Sequence, residues 1–301
     1  MKATIAVLGD ALLDVTLTPR GPMRSGGDVP AEVRLAAGGQ GANLAIRMAR
    51  RGAAVRLACG LGDDVAGEIV RDSLEADGVS VVSTPLAATG AVAILIDEHG
   101  ERTMLSQRAP FLGDVDVARL AADADWLVIS GYLFLEDGAS GLARTWAVLP
   151  VRRAVVGCAV PPPRAEAWLD TVGQARPDLV IVNLDEARAL SGRERPTLDL
   201  AATLASDLEA MVIITGPHDA HAVGPGLRVA VAADAELERP VDTTGAGDAF
   251  AATVLAALGP WPPGPFALRA ALTEGLAVAR EVVGVPGAQA RVASEQRGSS
   301  A

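Results

Sequence analysis

Short apolar runs alternate with helix-forming segments over most of the chain, and this alternation restricts the fold more than any other feature of the sequence. Apolar runs of four or five residues predict buried strands at 126–130, 154–158, 179–182 and 211–215. Longer segments between or after them predict helices at 138–148, 164–172, 185–191 and 197–208. Strands that alternate with helices form a mostly parallel sheet covered on both faces. We therefore predict an α/β fold with ligands at the carboxyl ends of its strands.

The N-terminal half has the same organisation with one irregular excursion. Strands are predicted at 4–8 and 54–59, and a helix should follow each of two glycine-rich turns, Gly38–Ala45 and Gly60–Gly67. Residues 15–37 lose strong periodicity, whereas the later segments 79–83, 91–97 and 101–106 alternate like strands. Asp14 is expected in the loop after the first strand. Strands near 220–231 and a long helix at 266–283 complete the prediction.

The composition limits which partners the protein is expected to bind and in which cell compartment it is expected. The net charge of −11 argues against binding to nucleic acid or to an anionic membrane. No uncharged apolar run reaches transmembrane length, and the N-terminal run stops at Gly9 with no cleavage site, so we expect a soluble, cytoplasmic protein. Cys59 and Cys158 lie inside apolar runs, which predicts buried thiols rather than a disulfide.

Lysine and histidine are too scarce for several kinds of catalysis. Lys2 is the only lysine, which excludes Schiff-base chemistry and a Walker A phosphate loop. The three histidines are His99, His218 and His221, a poor supply for a catalytic triad or a zinc site.

The stretch Asp242–Phe250, with the sequence DTTGAGDAF, carries the strongest chemical indication. It predicts a loop that opens a helix, where free N–H groups and the helix dipole favour an anion. Gly245 and Gly247 would let a phosphate approach the backbone closely. Asp248 beside a phosphate cradle suits a base that takes a proton from an attacking alcohol. The alternative is an ordinary glycine-rich cap with a first-turn acid.

Two further motifs have competing interpretations. Gly60–Gly67 looks like a weak dinucleotide fingerprint, but Asp63 and Asp64 would repel a pyrophosphate, so we reject a Rossmann oxidoreductase. Asn183 and Glu186 are three residues apart, which also fits a helix capping box.

Taken together, Gly38–Ala45, Gly60–Gly67, Asn183–Glu186 and Asp242–Phe250 resemble, in order and separation, the motifs of the ribokinase-like or PfkB-type carbohydrate kinases. The resemblance implies a three-layer α/β/α sandwich with a mostly parallel sheet and a small β lid. The lid would come from about 15–37 and 84–108, inside a kinase domain of residues 1–290 that is followed by a flexible tail at 291–301. In relatives the lid often pairs two subunits, which implies a homodimer here.

The resemblance also implies roles for individual residues in ATP-dependent phosphorylation of a sugar hydroxyl. Asp248 resembles the general base, and the anion hole would be Gly245, Ala246 and Gly247. The sugar-binding positions would be Asp14, Gly39 and Asn43. Asn183 and Glu186 would order the phosphates and Mg²⁺, the latter through water. ATP would also meet Thr215 and Gly216, although the stretch from Ile214 to Ala220 departs from the family pattern. Asp242 and Thr244 resemble a loop that binds a monovalent cation such as K⁺.

Several alternatives stay open at this point. Arg291 follows a segment, 287–289, that resembles part of the cation loop; its guanidinium would replace K⁺, or it points to solvent. Arg102 and Arg108 either clamp an acidic sugar or are solvated. Residues 15–37 and 84–110 contain no aromatic residue, which favours a sugar over a nucleoside. Phe111, Tyr132 and Phe134 keep a nucleoside kinase open, and a non-catalytic sugar- or nucleotide-binding protein is the other alternative. The sequence names neither the sugar nor the hydroxyl, nor the oligomeric state.

Overall fold

The strands of the protein form two sheets. The computed structural model describes residues 3–97, 102–108, 110–111, 115–192, 194–233, 243–285, 287–289 and 291–296. In chain order the strands are β1 (Thr4–Leu8), β2 (Leu12–Pro19), β3 (Ala31–Gly38), β4 (Ala54–Gly62), β5 (Ser80–Leu86), β6 (Ala91–Ile96), β7 (Arg102–Gln107), β8 (Trp126–Ser130), β9 (Arg152–Val156), β10 (Leu179–Asn183), β11 (Met211–Thr215), β12 (Asp219–Gly224) and β13 (Leu227–Ala232).

The larger sheet has nine strands in the order β13-β12-β11-β10-β9-β8-β1-β4-β5. Its neighbours from β5 to β11 pair in parallel, and only β12 and β13 add antiparallel pairs at one edge. Strands β8 and β11 are buried almost throughout because helices cover both faces, which explains their continuous apolar runs. The predicted α/β class and mostly parallel sheet are confirmed.

Helices lie on both faces of this sheet and give a three-layer arrangement. They are α1 (Gln40–Arg50), α2 (Val65–Ala76), α3 (Val117–Leu120), α4 (Ala139–Trp146), α5 (Ala165–Gln174), α6 (Leu184–Ser191), α7 (Thr197–Leu208), α8 (Ala246–Ala257), α9 (Pro265–Val283) and α10 (Ala293–Gln296). Two large apolar clusters fill the two interfaces, and Trp126, Trp146 and Trp168 are among the largest buried side chains. Cys59 and Cys158 are free and buried, as predicted.

The smaller sheet has four strands in the order β3-β2-β6-β7 and projects from the carboxyl end of β1. Strands β2 and β3 are antiparallel, and β2 pairs in parallel with β6. Its outer strands β3 and β7 are mostly exposed. Two expectations need correction. Asp14 lies within β2 and not in a loop, and residues 84–86 extend β5 in the main sheet, where Leu86 pairs with Gly62.

Residues 291–296, the described part of the predicted tail, contact the main body of the protein. Val292 and Glu295 are buried, and α10 packs against α1 because Glu295 meets the buried guanidinium of Arg47. This contact joins residues far apart in sequence, so no local sequence pattern predicts it. Within the described ranges, no helix combines the length and the hydropathy needed to cross a membrane.

Candidate active site

The N-terminus of α8 lies at the carboxyl end of the main sheet and carries the predicted base. Gly245 is the N-cap residue, with φ of 75°, so its left-handed backbone favours glycine. A Cβ on Gly245 would lie 2.8 Å from the carbonyl oxygen of Ala288, whereas a Cβ on Gly247 would meet no described atom within 4 Å. The first turn of α8 therefore has free space beside Gly247. Asp242 lies outside the described residues.

Asp248 sits in this first turn and is held from the side by α1. Its Oδ2 accepts a hydrogen bond from Asn43 Nδ2 at 2.8 Å, and Asn43 Oδ1 accepts one from Gln289 Nε2 at 3.0 Å. Burial raises the pKa of Asp248 to about 6, against the lowering effect of the Asn43 bond, and the charge of Asp10 adds to the rise. The carboxylate therefore has a fixed orientation and a basicity suited to a general base near neutral pH.

The N-terminus of α1 has a different environment. Gly39 is its N-cap residue with φ of 90°, and a Cβ there would lie 2.7 Å from the carbonyl oxygen of Asp10. A Cβ on Gly41 would lie 2.5 Å from the carbonyl carbon of Gly9. The carboxylate of Asp10 lies 3.4 Å from the Gly41 amide nitrogen that donates to it. These glycines bring α1 against the end of β1, and protein atoms fill the space at this helix start.

Asp14 reaches the same region from the smaller sheet. Its carboxylate stands over Gly38, because a Cβ on that glycine would lie 2.2 Å or less from both carboxylate oxygens. Burial raises the pKa of Asp14 to about 6, the charge of Asp10 adds to the rise, and Arg108 opposes it. The charge of Asp248 also raises this pKa, so the sugar-binding candidate and the candidate base are close enough to interact.

The Asp10 carboxylate forms a polar centre whose importance the sequence analysis missed. Arg108, at the end of β7, donates to Asp10, and its guanidinium carbon lies 3.8 Å from the centre of the Tyr132 ring. Ser130 Oγ lies 3.3 Å from Asp10 Oδ1 and 2.7 Å from Gln40 Oε1. Gln40 in turn donates to the Gly157 carbonyl at 2.6 Å. The available signal was position, since Asp10 is the second residue after β1.

A cavity of about 540 Å³ opens beside this polar centre. Apolar and charged residues both line it, and the charged ones are Asp10, Arg108, Glu136, Asp137 and Arg164. Phe111 and Tyr132 also line it, whereas Phe134 belongs to the core against Trp146 and Trp168. The cavity is large enough for a small organic substrate.

A second cavity, of about 630 Å³, lies at the N-terminus of α8. Its lining includes predicted ATP-site residues, Asn183, Thr215, Gly216 and Gly247, and also Thr243, Ala246, Arg280 and His218. The Gly216 amide donates to the Asp219 carbonyl at 2.8 Å, which closes a tight turn after β11. Gly247, the residue before Asp248, thus lines this cavity, and Asp10, whose charge raises the pKa of Asp248, lines the first one.

Asn183 and Glu186 form the capping box that the sequence left as an alternative. Asn183 Oδ1 accepts from the Glu186 amide at 2.8 Å, and Glu186 Oε2 accepts from the Asn183 amide at 3.0 Å. Burial nevertheless raises the pKa of Glu186 to about 7, against the effect of the Asn183 bond, and the charge of Asp248 raises it further. A cap alone does not need a half-buried carboxylate whose pKa is raised by the charge of the candidate base.

The donors suit a magnesium ion that keeps most of its water. The described residues contain no group of three or more His, Cys, Asp or Glu side chains that could enclose a metal. Mg²⁺ needs no such cage, because one or two carboxylates and substrate phosphates are sufficient. A cation beside Glu186 would offset its repulsion with Asp248. We conclude that the residues fit a hydrated Mg²⁺ at this carboxylate.

Comparison with known proteins identifies the family of the chain. The model of the pfkB family carbohydrate kinases matches residues 2–295. The chain belongs to this family. A fructokinase from Klebsiella pneumoniae is 31% identical over 277 residues, which cover 86% of this chain and 85% of that protein. A ribokinase from Mus musculus is 28% identical over 261 residues, covering 82% and 79%.

The family fold extends over the whole chain. A ribokinase structure from Thermotoga maritima superposes with a TM-score of 0.80 at 20% identity and covers 99% of this chain and 98% of that one. The predicted ribokinase-like fold is thus confirmed. As a member of the pfkB family, the chain is a phosphotransferase by descent, with a hydroxyl group as acceptor and ATP as the expected co-substrate.

The structure brings some of the predicted site residues together, whereas Arg291 does not make the predicted contact. Asp248 accepts a hydrogen bond from Asn43, and its charge raises the pKa of Asp14 and of Glu186. Arg291 donates to Asp77 at 2.8 Å and not to the 287–289 segment, whose carbonyls instead accept from Arg47 and Arg50. That K⁺ does not affect activity stays a prediction.

Proposed function

We propose that this pfkB-family protein transfers the γ-phosphoryl group of ATP to a hydroxyl of an uncharged sugar, with Asp248 as general base. The observation that carries the proposal is the position of Asp248 at a helix start with free space, where Asn43 orients its carboxylate. The preceding residue, Gly247, lines the second cavity, and Asp10, whose charge raises the pKa of Asp248, lines the first. A binding protein would not need a carboxylate there, because it would repel the phosphates.

The proposed reaction uses the raised basicity of Asp248. As the sugar oxygen forms its bond to the γ-phosphorus, its proton passes to Asp248 Oδ, and the bond from phosphorus to the ADP oxygen breaks. The products are a sugar phosphate and ADP, and the proton leaves Asp248 for solvent. A pKa of about 6 keeps most of the carboxylate ionised at neutral pH and still able to accept a proton.

The backbone at the start of α8 would stabilise the charge that develops on the phosphoryl oxygens. First-turn N–H groups have no acceptor within the helix, and the helix dipole adds positive potential. The Ala246 amide has only a long contact, 3.4 Å, with the Thr243 carbonyl, and Gly247 leaves space for a phosphate. Mg²⁺ beside Glu186, when bound, would neutralise phosphate charge.

We take the cavity of about 540 Å³ as the acceptor cavity, the place of the sugar. The charges beside it favour an uncharged substrate. The charge of Asp10 raises the pKa of Asp14 and of Asp248, and Asp10 already pairs with Arg108. An acidic or phosphorylated sugar would add a negative charge to this group. Sugar hydroxyls, by contrast, can donate to Asp10 and Asp14. A clamp on an acidic sugar is therefore the weaker interpretation of Arg108.

A nucleoside is the second candidate because Phe111 and Tyr132 line the acceptor cavity. However, the Arg108 guanidinium covers one face of the Tyr132 ring, and Phe111 is only 5% exposed. A base would have to displace Arg108 from Asp10 in order to stack there. We therefore favour a sugar.

The smaller sheet would act as a lid over the acceptor. Asp14 on β2 and Arg108 after β7 attach it to the site, so its closure would exclude water from the phosphoryl group. The sheet exposes the apolar side chains of Val33, Leu35, Met104 and Leu105, which suits the homodimer expected from relatives.

The test is consumption of Mg-ATP with a panel of neutral pentoses and hexoses, sugar acids, sugar phosphates and nucleosides. We expect activity with a neutral sugar, and a loss of about 10²–10⁴-fold in kcat for Asp248→Asn. The variant keeps the shape of the side chain, so its ATP binding measured by calorimetry serves as the folding control. ATP binding without turnover of any panel member in the unmodified protein would refute the proposal.

A further inference from the structure

Arg47 is an arginine whose burial calls for a physical explanation. It lies on α1 one turn after Asn43, and 1% of its surface is exposed. Its Nη1 donates to Glu295 Oε1 at 2.7 Å, and its Nη2 donates to the Ala288 carbonyl oxygen at 2.6 Å. Its Nε has no hydrogen-bond partner among the described residues. A buried ion pair with an unsatisfied donor is a poor source of stability compared with apolar side chains.

The contacts of Arg47 hold the C-terminal segment 287–296 against α1. Arg50, one turn of helix later, donates to the Gln289 carbonyl at 2.7 Å and pairs with Asp77. Gln289 then reaches Asn43, the residue that orients Asp248. Arg47 and Arg50 thus fix two successive carbonyls of one segment, and that segment contacts the side chain that holds the candidate base.

The same carbonyl joins Arg47 to the candidate anion hole. The Ala288 oxygen that accepts from Arg47 lies 2.8 Å from the point where Gly245 would carry a Cβ, and the Ala288 Cα lies 2.9 Å from it. Gly245 is the N-cap residue of α8. Ala288 therefore packs directly on the residue that begins the helix, and a shift of Ala288 would let the first turn of α8 move.

We propose that Arg47 and Glu295 are positioning residues for phosphoryl transfer: the pair fixes Ala288 against Gly245 and Gln289 against Asn43, and so aligns the anion hole with the base. This inference rests on the function proposed above. Neither residue touches the reactants. Their effect is expected in kcat, because a displacement of about 1 Å at a catalytic group can cost about 100-fold in rate.

The decisive variant replaces Arg47→Met and Glu295→Leu together. Apolar replacement of a whole buried ion pair is often neutral or stabilising, so we expect a folded protein with an unchanged Tm. It lacks the donor to Ala288, and we expect kcat to fall about 10–100-fold while KM for sugar and for ATP changes less than about threefold. If the pair served stability alone, kcat would stay unchanged in every variant whose Tm is unchanged.

The control removes a second, more exposed ion pair next to the C-terminal end of α1. Arg51, after the end of α1, pairs with Glu274 on α9. The double variant Arg51→Met with Glu274→Leu should keep the kcat of the unmodified protein. Arg47→Lys is the second test, because a lysine can pair with Glu295 but its single ammonium cannot reproduce the fork of two donors. We expect its kcat to fall with little change in Tm.

Assays use the full chain and the sugar identified in the panel. The inference would be overturned if the double variant Arg47→Met with Glu295→Leu folds and retains the kcat of the control double variant. An Arg47→Lys protein with unchanged kcat would also overturn it. If the double variant does not fold, Arg47→Lys alone decides between the two outcomes. Failure of the proposed function is recognised separately, because the unmodified protein would then turn over no substrate.

Discussion

The starts of α1 and α8 are two glycine-rich helix N-termini with opposite surroundings. Both begin at a glycine of positive φ, 90° at Gly39 and 75° at Gly245. At α1 the backbone of Gly9 and the carboxylate of Asp10 occupy the space in front of the helix, whereas beside Gly247 of α8 no described atom would contact a Cβ. The comparison teaches that a glycine-rich helix start serves packing or anion binding according to the space left in front of it.

Alanine substitutions in the two helices should have opposite consequences, and this is the largest expected effect. Gly41→Ala would place a Cβ against rigid backbone of Gly9, so we expect a loss of more than about 3 kcal/mol in the free energy of unfolding. Gly247→Ala has free space and a helical backbone, so its stability should hold or rise by about 0.5–1 kcal/mol. Its kcat should fall about 10–100-fold because the methyl group occupies the phosphate space.

Chemical denaturation and steady-state kinetics measure both sides of this comparison. Gly259→Ala is a control for the substitution itself, because a Cβ there also meets no described atom within 4 Å and the residue lies outside the site. Full activity of Gly247→Ala would mean that the start of α8 holds no phosphate.

The carboxylates around α8 should make activity and stability depend on pH in opposite directions. Burial raises the pKa of Asp248 and Asp14 to about 6, above the ordinary value of about 4. The base must be ionised, so kcat/KM should fall about tenfold between pH 7 and pH 5. The folded state binds more protons than the unfolded state in this window, so these groups lower the free energy of unfolding as pH rises.

The stability part of this prediction is read from a difference between two proteins. Asp248→Asn removes one titrating group, so its gain in unfolding free energy over the unmodified protein should be larger at pH 7 than at pH 5, by roughly 1–2 kcal/mol. A gain that is equal at both pH values would show that the pKa of Asp248 is not raised by folding.

Neutralising Asp10, whose carboxylate lies at the start of α1, should change the substrate preference. Asp10→Asn leaves the Arg108 guanidinium without its carboxylate partner beside the acceptor cavity. We expect the ratio of kcat/KM for a sugar acid to that for the neutral sugar to rise by about tenfold, equivalent to about 1.4 kcal/mol. Arg108→Gln combined with Asp10→Asn should abolish the gain. An unchanged ratio in Asp10→Asn would remove this residue from substrate selection.

Local patterns were sufficient to predict much of the fold. Strands β1, β8 and β11 and helix α7 begin and end at the predicted residues, because continuous apolar runs and helical periodicity are properties of neighbouring residues. Strand β4 extends to Gly62 beyond its predicted end, since pairing with β5 continues through the glycines. Glycine weakens any strand prediction made without knowledge of its partner.

The candidate site was predicted in part. Asp248, Asn43 and Asp14 were named from motifs, and the structure brings their carboxylate and amide groups into one interacting region. Asp10 and Glu295 were missed. Their partners Arg108 and Arg47 lie far away in the chain, so the contacts that give them significance exist only after folding.

The sequence by itself determined the α/β class, the two glycine-rich helix starts and the residue types at the carboxyl ends of the strands. Apolar periodicity and backbone freedom are local, so they can be read without a structure. Only the tertiary structure decided which helix start has free space, which carboxylates raise the pKa of others, and which arginine fixes the C-terminal segment. These properties depend on distances between side chains remote in sequence, through steric exclusion, Coulomb interaction and hydrogen bonding.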